Sequence, residues 1–344
     1  MKNKNLTGYL YFYLHLITEV VCFYYLTNFL NLGFLSYVIP FIYDGLAFVP
    51  QSIIGYINDK YPKFSFSLMG IPLLIMGILL YIFKLPVYLS LIFITLGNAF
   101  IHVNGAEVTL RTSKGKLAPV AIFVSGGSFG VLIGKLIAKI VNPWFLIPLI
   151  LSMIPFALLA SYYQENTASD NLKYYKYANQ KINPGLILFL MVLIVICRGY
   201  IGYGIPTSWN KTTFETILLF TFMGTGKALG GILSDKFGIR KVGILSVLIS
   251  IPFLCFGDNI MALSLIGVLL FSMTMSITLG VIVSILNNNP GLSFGLTTIG
   301  LFLGTIPIFF IKINSLLINC SLIAIVSIIC AFIFYKTIKE VSDG

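Results

Sequence analysis

Twelve long apolar runs divide the chain, each near the roughly 20 residues that span a hydrocarbon core. They fall at about 8–30, 35–57, 65–83, 86–106, 118–138, 143–163, 184–205, 213–233, 242–257, 260–286, 291–311 and 315–335. The ninth run is short and the tenth long. Their connections are very short except at residues 164–183, where Glu165, Asp170, Lys173, Lys176 and Lys181 sit among polar residues. That stretch separates 163 residues from 161. The pattern predicts an all-α polytopic membrane protein. An N-terminal six-helix bundle occupies 1–163, a linker 164–183, and a C-terminal six-helix bundle 184–344.

Composition agrees. The chain is 58% hydrophobic and only 10% charged, with a mean hydropathy of +0.97, where soluble domains carry about 25% charged residues. A net charge of +11 in a soluble protein would point to nucleic acid. Its distribution excludes that partner here. With both termini in the cytoplasm, 15 of the 22 Lys and Arg residues lie on the cytoplasmic side, among them Lys2 and Lys4. Four (Lys84, Lys139, Lys211, Lys312) lie outside, and three (Lys135, Arg198, Lys227) fall within spans. The expected location is a bacterial cytoplasmic membrane, crossed many times. The first run lacks a small-residue cleavage site and carries charge, so it reads as a span and not a signal peptide. The five cysteines all lie in apolar runs without metal-ligand spacing. There is no phosphate-binding Walker loop and no Ser-His-Asp spacing. No cofactor, no metal and no enzymatic activity are expected.

Charges inside a membrane are costly and turn toward a cavity or a partner. Span one carries His15 and Glu19, four residues apart and on one helix face. Histidine changes charge near neutral pH, and a neighbouring carboxylate tunes it, so the pair is a candidate proton-coupling element. Asp44 in span two is a second carboxylate candidate. Span four carries Asn98 and His102, again four apart, and then Glu107 and Arg111, which read as a boundary ion pair. Lys135, Arg198 and Lys227 are candidate contacts for an anion if they converge. The alternative is that they neutralise Glu19 and Asp44. Each of these polar residues also has a packing role as its ordinary explanation.

One stretch occurs twice. Gly55-x-x-x-Asp59-Lys60, with Lys63 behind it, recurs 176 residues later as Gly231-x-x-x-Asp235-Lys236, followed by Arg240 and Lys241. Gly126-x-x-x-Gly130 in span five matches Gly300-x-x-x-Gly304 in span eleven at an offset of 174. The chain is therefore internally duplicated. The repeated loop resembles the signature loop of the major facilitator superfamily, which joins helices 2 and 3 of each half on the cytoplasmic side. The second copy keeps a glycine at Gly238, where the first has Pro62.

A narrower resemblance rests on about forty residues: Gly97 to His102, and Phe123 to Gly134 with its ladder of glycines. Together with His15-x-x-x-Glu19 and Arg198, these are similar to the fosmidomycin-resistance branch. The resemblance implies the major facilitator fold and proton-coupled export of small molecules, including an anionic phosphonate antibiotic, by an antiporter. The chain departs from the antiporter pattern at Lys135, where proline is common.

The resulting expectation is a monomeric secondary transporter that moves a small anionic organic solute by alternating access. His15, Glu19 and Asp44 would couple protons. Asn98, His102, Lys135, Arg198 and Lys227 would bind the solute. Gly55, Asp59, Lys63, Gly231, Asp235, Arg240 and Lys241 would latch the outward-open state. A non-transporting receptor or scaffold on the same fold is the alternative.

Overall fold

The structure, a computed structural model, describes residues 6–29, 38–167, 172–310, 313 and 315–339. Lys2, Lys4, Asp170 and Lys312 lie outside the described residues.

Among the described residues, six helical segments precede the linker and six follow it, ten of the twelve long and apolar enough to cross a membrane. The first half contains α1 (Leu6–Phe29), α2 and α3 (Val38–Phe48 and Pro50–Lys60), α4 (Phe66–Ile82), α5 (Val87–Thr112) and α6 (Ala118–Ile137). Its sixth span is a 3-10 turn (Pro143–Phe145) leading into α7 (Leu146–Leu151) and α8 (Met153–Thr167). The second half contains α9 (Pro184–Gly204), α10 (Thr213–Phe237), α11 (Ile239–Cys255), α12 and α13 (Met261–Ser272 and Thr274–Ile285), α14 (Pro290–Phe310) and α15 (Leu316–Thr337).

The breaks have local causes. Pro50 cannot donate a backbone hydrogen bond and crowds the preceding turn, so span two divides at Val49. Gly238 joins α10 to α11 at φ +90°, a conformation that favours glycine. The first copy of the loop, with Pro62, turns over several residues between α3 and α4 instead.

Lipid replaces water as the outer solvent. Large apolar side chains stay uncovered on the outside, such as Leu317 at 77% exposure and Phe310 at 75%, while His15, Glu19, Asn98, His102 and Glu107 are buried inside. This is the arrangement that intramembrane polar groups require.

The duplicated glycine ladders act at equivalent interfaces. A Cβ on Gly126, Gly130 or Gly134 would run into the backbone of α1 at Phe12, Leu16 and Val20. A Cβ on Gly304 would meet the backbone of α9 at Ile196. Close helix contact through small residues is the reason both ladders exist.

After the linker begins, residues 175–179 form a strap. Tyr175 and Tyr177 hydrogen-bond through their phenols to Ser113 and to the Gly115 carbonyl, both in the turn between α5 and α6. Ala178 N–H donates to Ser284 Oγ at 3.0 Å, and Asn179 N–H to the Thr337 carbonyl at 2.8 Å. The strap therefore touches both halves.

Candidate transport site and its latches

The α1–α6 ladder positions the first polar group. Gly127 has no side chain, and a Cβ there would occupy the place of the His15 ring. His15 thus sits against α6, with Nδ1 at 3.0 Å from the Phe123 carbonyl. From α5, His102 places its Nδ1 2.9 Å from the Asn98 carbonyl and its Nε2 2.6 Å from His15 Nε2. Glu19 lies one turn beyond His15. Its Oε1 is 3.3 Å from His102 Nε2 and 3.8 Å from His15 Nε2, and accepts from Asn98 Nδ2 at 3.0 Å. Asn98 also donates toward Tyr43 Oη on α2, at 3.3 Å. Asp44 is the second carboxylate within electrostatic reach of Glu19.

His15, Glu19 and His102 present three potential ligand atoms within 4.8 Å of one another. A metal bound by two imidazole nitrogens at about 2.0–2.1 Å in tetrahedral geometry separates them by about 3.3 Å. The 2.6 Å between the two Nε2 atoms is too short for that and is the separation of a short hydrogen bond.

The three basic residues do not share one place. Lys227 on α10 comes within electrostatic range of this cluster from the second half, of both Glu19 and His15. Arg198 is within electrostatic range of Lys227, but lines a small void within the second half with Val247, Phe271, Ser327 and Cys330. Among the described residues its Nε has no hydrogen-bond partner. Lys135 lies over the Phe23 and Phe220 rings, at 5.6 and 5.0 Å from their centroids. Sequence spacing could place each of these on a helix face. It could not show which faces meet.

The repeated aspartates make matched contacts. Asp59 accepts the Gly291 and Leu292 N–H groups with its two oxygens, both at 2.8 Å. Asp235 accepts the Leu117 and Ala118 N–H groups at 2.8 and 2.9 Å. Each carboxylate caps the first turn of a helix in the other half, where free N–H groups and the helix dipole favour an anion. Leu117 has no side chain able to cap α6 itself. The glycines permit the approach: a Cβ on Gly55 would overlap Gly291, and one on Gly231 would overlap Ala121 and the Leu117 carbonyl. Lys63 and Lys241 are exposed, and Arg240 stacks on Tyr335 at 4.3 Å.

Beneath the Asp59 contact lies a polar network within the first half. Arg111 Nε donates to Glu107 Oε1 at 2.8 Å, and Asn58 Nδ2 donates to Glu107 Oε2 at 2.6 Å. Gln164 Nε2 adds a third donor at 3.3 Å. Asn58 and Gln164 carry no motif that would have marked them in the sequence.

Against known proteins, no family model matches the chain. The uncharacterized MFS-type transporter YfnC of Bacillus subtilis is 26% identical over 311 residues, which are 76% of this chain and 75% of that protein. The fosmidomycin resistance protein of Escherichia coli is 24% identical over 238 residues, 59% of this chain and 57% of that protein. Among solved structures, the human organic anion transporter MFSD10 superposes with a TM-score of 0.68 over 98% of this chain and all (100%) of that one, at 11% identity.

The chain has the major facilitator fold. The chain resembles MFS-type transporters in sequence and is a multi-pass membrane protein of the cell membrane, not an enzyme. Secondary transport in the general sense is the activity that its relatives support.

Proposed function

We propose that this protein is a proton-coupled secondary transporter for a small anionic organic solute. The observation that carries the reading is the buried His15–Glu19–His102 cluster of one half facing Lys227 of the other. A proton site and a solute-binding cation that meet at the seam between two rocking halves are what coupling requires. Glu19 and the histidines take up and release the proton. Lys227 contacts the solute, and Arg198 adds positive potential from behind it. Lys135 contributes from farther out, between its two rings. The name of the fosmidomycin relative supports a phosphonate or similar anion, and that of MFSD10 an organic anion.

The excess of Lys and Arg near the latched face supports a cytoplasmic placement of that face and of both termini. The Asp59 and Asp235 contacts then hold an outward-facing arrangement, consistent with export. The halves correspond to residues 1–163 and 184–344, joined by the linker at 164–183.

Flux tests the reading. Purified protein in vesicles, with an imposed pH gradient and fosmidomycin as the probe, should accumulate the probe only while the gradient lasts. Glu19→Gln should abolish that dependence, and Lys227→Gln should weaken probe binding. No gradient-driven flux of fosmidomycin, or of any solute in a panel of small anions, cations and neutral compounds, would leave a non-transporting scaffold as the better reading.

A further inference from the structure

We infer that His15 and His102 share a single proton between their Nε2 atoms, and that this pair is the proton carrier, with Glu19 as its gate. The inference rests on the proton-coupled reading but is tested apart from it.

The argument is one of hydrogen-bond donors and acceptors. A backbone carbonyl can only accept. His15 Nδ1 lies 3.0 Å from the Phe123 carbonyl, and His102 Nδ1 lies 2.9 Å from the Asn98 carbonyl. Both Nδ1 atoms must therefore carry hydrogen. A neutral imidazole has one N–H, so two neutral rings would leave both Nε2 atoms as bare lone pairs. Those atoms are 2.6 Å apart, where two lone pairs repel. One extra proton removes the conflict: one Nε2–H donates to the other Nε2. The site as built holds three protons on four ring nitrogens, with one positive charge over the pair.

The surroundings suit that charge. Glu19 Oε1 lies 3.3 Å from His102 Nε2 and 3.8 Å from His15 Nε2, so His102 is the better placed donor. The groups that face the pair are Glu19 on α1, Phe123 and Gly127 on α6, Phe294 on α14 and Lys227 on α10. Behind Glu19 stand Asp44 and Tyr43 of α2 and Cys22 of α1. Lys227 opposes the shared charge and attracts Glu19, so it competes with the pair for the same carboxylate.

Release then follows a defined route. The bridging N–H bond breaks, the proton passes to Glu19 Oε1, and from the carboxylic acid it leaves to water. Both rings become neutral, and their Nε2 lone pairs force them apart. Once ionised again, Glu19 has lost its cation in the first half and turns to Lys227 in the second. The proton thus decides whether Glu19 pairs within its own half or across the seam, which is the link between proton release and rocking.

The chain contains only two histidines, so labelling all histidine with nitrogen-15 reports on this site alone, provided the purification tag contains none. Solid-state NMR of the wild-type protein in lipid at neutral pH should show three protonated ring nitrogens, one not protonated, and a coupling between the two Nε2 nuclei. His15→Gln should remove the coupling between the two rings. Two protonated nitrogens in all, or four, would overturn the shared proton, as would the absence of the coupling. Proton movement driven by fosmidomycin, followed with a pH-sensitive dye in vesicles, reads the transport separately. The NMR signature without proton movement driven by fosmidomycin or by any solute of the panel above overturns the coupled-transport reading and keeps the proton pair. Movement without the signature overturns the pair and keeps the reading.

Discussion

Asp59 and Asp235 perform the same contact from opposite halves of the molecule: each places two carboxylate oxygens on consecutive backbone N–H groups at the start of a helix across the seam. Charge-assisted hydrogen bonds contribute about 1.5–3 kcal/mol. Replacing Asp59 or Asp235 by Asn keeps one acceptor oxygen and removes the charge. Each change should shift the equilibrium toward opening of the latched face by about tenfold, or about 1.4 kcal/mol. Spin labels or single cysteines placed across that face would measure it by distance or thiol accessibility. An unshifted distribution in both variants would refute the latch.

Gly55 faces the backbone of Gly291 with no room for a Cβ. Gly55→Val should open the latched face more than Asp59→Asn does, because it separates α3 from α14 as well as weakening the cap. Gly204, at the end of α9, has nothing within 4 Å of its Cβ position. Gly204→Ala should leave the same distance measurement unchanged, which serves as the control.

Glu107 is fully buried and its partner Arg111 nearly so. Removing one member of a buried ion pair costs about 3–5 kcal/mol, whereas replacing both with apolar groups is often neutral. Arg111→Met should lower the melting temperature in detergent by many degrees. Adding Glu107→Leu should recover more than half of the loss, although Asn58 and Gln164 then lose an acceptor. No recovery in the double variant would mean that the network acts through those amides.

Gly127→Ala tests the cradle of His15 without touching a titrating group. The added methyl occupies the place of the imidazole ring, whereas the neighbouring Gly126→Ala would strike the α1 backbone at Phe12. The first variant should fold and lose the pH dependence of transport. The second should lose folded yield. Fluorescence-detected size exclusion and the vesicle assay distinguish them, and a retained pH profile in Gly127→Ala would remove the ring position from the mechanism.

The span pattern was legible because each helix must be apolar over its whole length, and the signature loop because it is written twice. Span breaks were less legible. Pro50 marks one, but the division at Met273 has no proline, and there Gly230 of α10 packs against the Met273 carbonyl. Within the site, His15 and Glu19 could be paired by their four-residue spacing. The meeting of His15 with His102, 87 positions away, could not, since nothing local encodes which helix faces abut. The receivers of Asp59 and Asp235 are backbone N–H groups, which leave no mark in a sequence. Lys135, Arg198 and Lys227 looked alike as cations in apolar runs. Packing sends them to an aromatic sandwich, a void within the second half and the central seam.

The strap at residues 175–179 gives the machine a preferred parking position. It is stitched to the turn between α5 and α6 on one side and to α13 and α15 on the other, on the same side as both aspartate caps. Swinging that side apart must unpick these stitches together with the caps. Swinging the opposite side apart disturbs none of them. In the rocking cycle proposed above, the two strokes are thus unequal: one must undo the strap and both caps together, and the other leaves them all in place.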